Sequence, residues 1–455
     1  MTGLPPTADG TEVRPAGALR SAAGLLPRYP VVVPGPAATG GPVSPLPDPV
    51  TGSVLAEVAE ALPADVERGL DAAARARDEA WAWAGSADRA RHLLALVDAL
   101  ATEVRPLAAT DALTRGRPAA LALAEAEQLP DRAFSAAGWA DKLDWAPLGG
   151  AAVGLVAVLA GWRTSPAALV VTAVAALACG NAVLLRPRPP AAPLAHRLAE
   201  AAERAGLPAG LVTVLPGSAA EADAALLRGV GAVRAGGRAE ELRALRVAMA
   251  ERGAVLSADP DALTAEVVLP AADLGEVLPA LTAALREGAA GRPGGTLVLA
   301  PQAVLDELAP ALQEAADGLR LGDPLDRATD VGPCPSPELA ADAVAALGAR
   351  VPRTVPLGGW WCPPGVLRQA GRRPALPPPG PVVALRSAPS TAAAAADLAR
   401  YGAAGAVEVR VWGAPAAEVA HLADVPGVRS VRTGPGGDDA WAPVAVLAQM
   451  AAFRG

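Results

Sequence analysis

Short apolar segments alternate with segments of helical periodicity over much of this chain, and that alternation constrains the fold more than any other feature. Val153–Leu159 and Ala182–Leu185 each predict a buried strand, and Pro166–Cys179 predicts the helix that connects them. Strands alternating with helices of this length form right-handed crossovers and a parallel sheet. The alternation continues through Pro193–Ala205 (helix), Val212–Leu215 (strand) and Ala219–Leu227 (helix).

A second series of the same kind begins near Ala254 and ends near Trp412. Its predicted strands lie at Glu266–Leu269, Gly295–Leu299, Val382–Leu385 and Val407–Val411. The chain is therefore expected to be an α/β protein with two successive Rossmann-like parallel-sheet domains. Ligand sites in such sheets lie at the carboxyl ends of the strands.

The region before these two series has a different character. Residues 1–45 are rich in Pro, Gly and Ala without periodicity, which is typical of a flexible leader. Ser53–Val58 predicts a short strand after a turn. Apolar residues then recur at three- and four-residue spacing in Ala64–Ala84, Ala87–Thr110 and Ala119–Trp139, and each stretch predicts a helix.

The composition favours a folded protein that binds neither nucleic acid nor membrane. A net charge of −8 opposes nonspecific attraction to phosphate backbones. No apolar stretch reaches the roughly 18 uninterrupted residues of a membrane helix, and the N-terminus lacks a signal-peptide pattern. The three cysteines and three histidines show no metal-ligand spacing, so no metal site and no disulfide framework is predicted. We expect a cytoplasmic protein.

Several strings resemble the aldehyde dehydrogenase superfamily of NAD(P)-dependent enzymes, and they occur in that family's order. They are Ala137–Lys142, Gly180–Pro187, Ala205–Gly210 with Val214–Gly217, Gly322–Asp326 with Gly332–Pro333, Gly380–Val383 and Tyr401–Ala404. The resemblance implies an aldehyde dehydrogenase-like fold. Residues 46–249 would be its cofactor-binding-type domain, with part of an oligomerisation arm near 120–145. Residues 250–425 would be the catalytic-type domain, and 426–455 a C-terminal oligomerisation segment.

The family's chemistry uses a cysteine nucleophile, a glutamate base and an asparagine that holds the oxyanion, and this sequence departs from it at each position. The nucleophile position falls within Ala289–Gly295, which contains no Cys, Ser or Thr. The base position holds Ser257, with Asp259 two residues further on, and the oxyanion position holds Arg163. No catalytic residue is therefore assigned.

The positions that hold the cofactor in this family are altered as well. Arg186–Pro189 stands where the family has Lys-Pro-Ser-Glu, and Ala235–Arg238 stands where it has Gly-Ser-Thr. Pro377 aligns with a glutamate that binds the nicotinamide ribose, and proline offers neither a carboxylate nor an N–H. The residues that the resemblance places along this degenerate cleft are Trp162, Arg186, Gly217 and Gly236. NAD or NADP is the cofactor if the cleft still binds one.

Two further groups of residues have both a functional and a structural interpretation. Arg163, Arg186, Arg188 and Arg238 would border the cleft, either binding a small anion or filling polar positions in an arginine-rich chain. Cys334 and Cys362 show no neighbouring base or helix N-terminus that would lower a thiol pKa, so both are interpreted as structural thiols. The pair Trp360–Trp361 is a partner anchor or packs under a Pro-rich loop.

The leading functional hypothesis is a catalytically defective family member, similar to the inactive module of two-module members. It would act as a structural or regulatory subunit, as a homo-oligomer or as a hetero-oligomer with an active aldehyde dehydrogenase. Val428–Val431 is a predicted edge strand that could pair subunits. The alternatives are an active NAD(P)-dependent oxidoreductase that acts on an aldehyde or oxo group by altered chemistry, and a small-anion-binding regulatory module.

Overall fold

The computed structural model describes residues 24–35, 41–143, 151–352, 354–355, 358–370, 376–434 and 453. Most of the predicted leader, and Asp438–Trp441 of the predicted C-terminal segment, lie outside these residues. Within them the chain forms two parallel sheets flanked by helices and one small mixed sheet. No helix in this part of the chain is long and apolar enough to cross a bilayer.

The N-terminal region combines the small sheet with five helices. Its strands are β1 (Arg28–Tyr29), β2 (Val43–Pro47) and β3 (Val54–Ala59), in the order β1-β3-β2. Its helices are α1 (Pro63–Ala76), α2 (Ser86–Ala101), α3 (Val104–Arg115), α4 (Ala119–Glu127) and α5 (Leu129–Ala137). A π-helical turn at Arg77–Trp81 extends α1.

Proline divides two of the predicted helices. Ala87–Thr110 is not continuous, because Pro106 lacks an N–H and is tolerated only in a first turn, so α3 starts anew at Val104. Pro130 in the same way lies at the start of α5 and separates it from α4. Each of these two predicted helices is therefore two shorter helices in the structure.

The first α/β domain is built on a five-stranded parallel sheet in the order β6-β5-β4-β7-β8. Its strands are β4 (Leu155–Ala160), β5 (Ala182–Pro187), β6 (Val212–Val214), β7 (Ala232–Gly237) and β8 (Val255–Pro260). The connecting helices are α6 (Pro166–Ala178), α7 (Ala192–Arg204), α8 (Ala220–Gly229) and α9 (Ala239–Ala250). Every residue of α6 except Ala168 is buried, as expected of a helix packed on both sides.

The Gly-Asn string that the sequence singled out has a structural role in this domain. Gly180 adopts a φ of 87°, which closes the turn between α6 and β5. The fully buried Asn181 accepts a hydrogen bond from the N–H of Gly154 and donates to the carbonyl oxygens of Ala176 and Phe453. Its amide therefore satisfies backbone groups that no secondary structure reaches.

The second α/β domain has a six-stranded parallel sheet in the order β11-β12-β10-β9-β13-β14. Its strands are β9 (Ala262–Val268), β10 (Thr296–Ala300), β11 (Gly365–Gln369), β12 (Val382–Ser387), β13 (Ala406–Trp412) and β14 (Val428–Thr433). Its helices are α10 (Leu274–Gly291), α11 (Gln302–Asp317), α12 (Pro337–Leu347), α13 (Thr391–Ala404) and α14 (Ala416–Val419). In the described part of the chain β14 lies at the end of this sheet, where the sequence predicted an edge strand.

The two sheets meet at a single residue. β8 ends at Pro260 and β9 begins at Ala262, so only Asp261 separates a strand of the first sheet from a strand of the second. The first sheet therefore extends beyond the boundary expected at residue 249. Neither β7 nor β11 was predicted, because glycine and polar residues interrupt the apolar pattern of both strands.

The Gly332–Pro333 string packs against the end of α3. Gly116, the residue after α3, has a φ of 73°, and a Cβ on Gly332 would overlap its carbonyl oxygen. Both glycines are therefore required by a close approach of two backbones. This contact fixes the Gly322–Pro333 segment against the N-terminal helices.

Candidate functional site

A cavity of about 210 Å³ lies where the two α/β domains meet. β4 lies in the middle of the first sheet, and the strands that follow it in sequence lie on both of its sides. A crevice therefore forms between the carboxyl ends of β4 and β7. The amino ends of β9, β13 and β14 close the other side. The charged residues that line the cavity are Arg163, Arg234, Asp259, Asp261, Arg292, Glu408 and Arg429.

The positions that the sequence resemblance marked for chemistry come together around this cavity. Arg163 follows β4, Asp259 lies near the end of β8, and Gly291–Pro293 follows α10; all of them line it. Ser257 lies in β8 two residues before Asp259, and its Oγ accepts a hydrogen bond from Arg234 at 3.2 Å. No cysteine is among the residues that line the cavity in the described part of the chain.

Arg163 ties the loop after β4 to the junction of the two domains. Its Nε donates to Oδ2 of Asp261 at 2.6 Å, and its guanidinium lies 4.4 Å from the ring centroid of Trp162. Burial raises the pKa of the Asp261 carboxyl, and the ion pair with Arg163 opposes that rise. The residue at the oxyanion position thus holds a carboxylate of its own chain.

Arg234 and Arg429 share one carboxylate. Nη2 of Arg234 lies 3.1 Å from Oδ2 of Asp259, and Nη1 of Arg429 lies 3.6 Å from Oδ1 of the same side chain. Burial lowers the pKa of Arg234, and the charge of Arg429 lowers it further against the attraction of Asp259. The contact connects β7 and β8 of the first sheet to β14 of the second.

The segment at the nucleophile position leaves α10 through a kink. Gly288 has a φ of 56° and a ψ of −155°, a conformation that favours glycine, and one further turn ends at Gly291. Arg292 then turns back, and its Nε donates to Oε2 of Glu287 at 3.0 Å. An arginine therefore stands in this segment, held by a carboxylate of the preceding helix.

Arg115, at the end of α3, connects the two loops that border the cavity. It is almost fully buried, and its Nε donates to the carbonyl oxygen of Trp162 at 2.6 Å. Its Nη2 donates to the carbonyl oxygen of Ala290, and its Nη1 to Oδ1 of Asp111 at 2.6 Å. The sequence analysis missed this residue. Its signal was an Asp and an Arg four residues apart on a face of α3 that is otherwise apolar.

Trp162 and Arg186, two of the predicted cofactor residues, are engaged within the chain. Trp162 offers its carbonyl to Arg115 and its ring to Arg163. Arg186 is buried, and its guanidinium donates to Oδ1 of Asp223 at 2.8 Å and to the carbonyl oxygens of Leu215, Pro216 and Ala219. Arg188 pairs with the other oxygen of Asp223 at 2.6 Å. Neither Arg186 nor Arg188 lines the cavity.

Of the other two predicted residues, Gly217 lies beside a carboxylate and Gly236 lies at the cavity. A Cβ on Gly217, which has a φ of 117°, would collide with the carboxylate of Glu60, and that carboxylate accepts from the N–H of Ser218 at 2.7 Å. Gly236 lines the cavity near the end of β7. At the start of α9 the N–H of Arg238 donates to Glu241 at 3.0 Å. Although burial opposes it, this hydrogen bond and nearby arginines lower the pKa of Glu241.

The three cysteines lie in hydrophobic packing. Cys179 belongs to the core of the first domain, whereas Cys334 and Cys362 belong to a separate cluster below β12. Burial raises the pKa of the Cys362 thiol to about 12 and raises that of Cys334 as well. Trp361 is buried against Val50 and Val355, which agrees with the packing interpretation of the tryptophan pair.

Comparison with known proteins identifies relatives along most of the chain. Residues 39–350 match the model of the aldehyde dehydrogenase family. Aminoacetaldehyde dehydrogenase from Pseudomonas aeruginosa is 32% identical over 199 residues, which cover 41% of this chain and 40% of that protein. A betaine aldehyde dehydrogenase from Cereibacter sphaeroides is 31% identical over 310 residues, which cover 65% of this chain and 63% of that protein. The matches thus span less than two thirds of either relative.

Solved structures show the same fold over nearly the whole chain. The aldehyde dehydrogenase KauB from Pseudomonas aeruginosa superposes with a TM-score of 0.80 at 22% identity, covering 94% of this chain and 93% of that one. The NAD-dependent aldehyde dehydrogenase from Sinorhizobium meliloti gives a TM-score of 0.80 at 22% identity, covering 90% and 88%. The two parallel sheets and the family match over more than half of the sequence lead to one conclusion. This chain belongs to the aldehyde dehydrogenase family.

Proposed function

We propose that this chain is a catalytically defective member of its family that acts by assembly, as a structural or regulatory subunit. The observation that carries the proposal is the content of the cavity between the domains. The segment that contains the family's nucleophile position, Ala289–Gly295, holds Arg292 and no Cys, Ser or Thr, and the position of the oxyanion asparagine holds Arg163; each arginine is bound to a carboxylate of the same chain. The cleft thus contains internal ion pairs, and no described residue that lines it supplies the thiolate that the family's reaction needs.

The cysteines of the chain do not replace the missing nucleophile. A thiolate attacks a carbonyl only where its pKa is low and the substrate can reach it. Cys334 and Cys362 are buried with raised pKa values, and Cys179 lies in the core. The threonines that line the cavity would need an adjacent base to act as nucleophiles. Asp259 and Asp261 are the neighbouring carboxylates, and both are engaged by arginines.

The residues of the cleft also do not fit a nicotinamide dinucleotide. The family holds the anionic pyrophosphate at a helix N-terminus, where backbone N–H groups face the ligand. Here the carboxylate of Glu241 occupies the start of α9, Glu60 lies against Gly217, and Asp223 lies between Arg186 and Arg188. Glu241 and Glu60 would oppose a polyanionic cofactor, whereas Asp223 engages the two arginines that could otherwise hold its phosphates, so we assign none.

Two surface features support a role in assembly. Among the described residues β14 is an edge strand, and a strand of this kind can pair with the backbone of a partner. Phe134, on α5 in the predicted oligomerisation arm, is 57% exposed, an unusual position for a large apolar side chain. Both lie in regions that the sequence assigned to subunit contacts.

Turnover and assembly can be tested separately with the full chain. The purified protein is mixed with short-chain, aromatic and amino aldehydes and with NAD or NADP, and the same mixtures without protein are the baseline; a variant with all three cysteines changed to serine shows whether any signal needs a thiol. We expect no NAD(P)H formation above that baseline, and a signal that exceeds it would overturn the proposal. Sedimentation alone and after mixing with an aldehyde dehydrogenase of the same source then tests assembly. A monomer under both conditions would remove the proposed role.

The active-oxidoreductase alternative is favoured by one observation, which is that the curated relatives are named as dehydrogenases. It requires that the cleft bind a nicotinamide cofactor despite these carboxylates. Calorimetric heat or a thermal shift with millimolar NAD or NADP would support it over the defective-subunit proposal. If binding appears, Glu241→Gln should strengthen it, because this change removes a negative charge from the start of α9.

A further inference from the structure

The charges that line the cavity between the domains do not pair off completely. Arg163 is matched by Asp261, and Arg292 is matched by Glu287 outside the lining. Arg234 and Arg429 share Asp259, so this group carries one positive charge that no carboxylate of the described residues balances. Arg234 is 22% exposed, whereas Arg429 and Asp259 are about half exposed, so solvent screens part of the repulsion between the two guanidinium groups. The remaining repulsion favours an added negative group.

Free hydrogen-bond donors accompany that excess positive charge. Arg429 approaches Asp259 only to 3.6 Å, beyond a good hydrogen bond. Arg163 lines the cavity, and its Nε donates to Asp261. The two terminal nitrogens of Arg163 have no acceptor among the described residues. Arginine donates through a planar fork that suits a carboxylate, and these terminal nitrogens have such donors to offer.

An unmatched negative charge lies on the other wall. Glu408 is in β13, in register with Thr264 of β9, and β13 adjoins the strand that carries Arg429. Its side chain lines the cavity and forms no ion pair with any described residue. Arg429 and Glu408 thus stand on adjoining strands without contacting each other as a pair. The cavity therefore presents one excess positive and one excess negative charge.

We propose that this cavity binds a small zwitterion, a molecule with one carboxylate and one ammonium group. The carboxylate would face Arg429 and Arg163, and the ammonium would face Glu408, with the hydroxyl of Thr264 on the same wall. The volume of about 210 Å³ lies below the roughly 300–1,000 Å³ of pockets for drug-sized ligands, so the ligand has the size of an amino acid. Binding needs neither a nucleophile nor a cofactor, so it is independent of the proposed loss of turnover.

The first test compares ligands on the unmodified protein by isothermal titration calorimetry. Glycine, β-alanine and 4-aminobutyrate vary the distance between the two charges, whereas propionate and ethylamine each carry only one. We expect at least one zwitterion to bind ten times more tightly than both single-charge compounds. If propionate binds as well as every zwitterion, the cavity is a plain anion site and the proposal fails. It also fails if none of the five binds.

The second test separates the two ends of the ligand. Arg429→Met should weaken zwitterion binding at least tenfold, and Glu408→Gln should weaken it similarly while leaving propionate unchanged. Arg91→Met is the matched control, because Arg91 forms an exposed pair with Asp88 on α2 far from the cavity. Glu408→Gln is isosteric at an exposed position, so it decides the question even if the Arg429 variant does not fold. Unchanged zwitterion affinity in the Glu408 variant would overturn the proposal.

Discussion

We expect Arg115 to be among the side chains that contribute most to the stability of the region around the cavity. Replacing it with methionine keeps much of its volume and removes three hydrogen bonds, to Asp111, the Trp162 carbonyl and the Ala290 carbonyl. Asp111 is about 1% exposed, so the change leaves a carboxylate buried without its main partner. Breaking one side of a buried pair costs about 3–5 kcal/mol. We expect Arg115→Met to lower the free energy of unfolding by that amount.

Urea denaturation followed by tryptophan fluorescence measures the loss, and hydrogen exchange across residues 289–295 shows whether that loop is released. The double variant Asp111→Leu with Arg115→Met removes the stranded charge, so it should recover much of the stability. Arg91→Met, in an exposed pair with Asp88, should cost no more than about 1 kcal/mol. If Arg115→Met costs no more than this control, the carboxylate is solvated and the reasoning is wrong.

Three further outcomes follow from the packing and the shifted pKa values. Gly332→Ala should destabilise the fold by about 2 kcal/mol in thermal or urea unfolding, because a Cβ would overlap the Gly116 carbonyl oxygen, whereas Gly41→Ala meets nothing nearby and should be neutral. No thiol should react with Ellman's reagent at pH 8 until denaturant is added, and one fast native thiol would contradict the burial of the cysteines. Burial lowers the pKa of His196 from 6.5, so stability that is present above pH about 6.5 should be lost as the pH falls. His196→Gln should lose less stability between pH 7 and 5 than the unmodified protein, and equal losses would show that another group is responsible.

The architecture could be predicted from sequence because β4, β5 and β6 of the first domain are short apolar runs between helices with clear periodicity. Val153–Leu159 and Pro166–Cys179 agree with β4 and α6 to within two residues. Errors arose where proline interrupts a helix without changing its apolar pattern, as at Pro106. They also arose in β7, where two glycines at the strand end resemble a turn.

The candidate site was only partly predictable, since it depends on which charges the fold brings together. Sequence alignment placed Arg163 at the cleft, and the structure confirms that it lines the cavity. It could not show that Arg429, over 260 residues later in the chain, shares a carboxylate with Arg234. A short string placed Arg186 at the cofactor cleft. In the structure its guanidinium donates to backbone carbonyl groups, and no local sequence pattern predicts these contacts.

The one-residue junction at Asp261 has a mechanical consequence. An edge strand of the first sheet runs directly into an interior strand of the second, and Pro260 restricts the backbone immediately before the junction. Because no flexible linker joins the two strands, any opening between the domains at this point must change the backbone angles at Asp261 and lengthen its ion pair with Arg163. A load applied to one sheet is therefore transmitted to the other through the wall of the cavity.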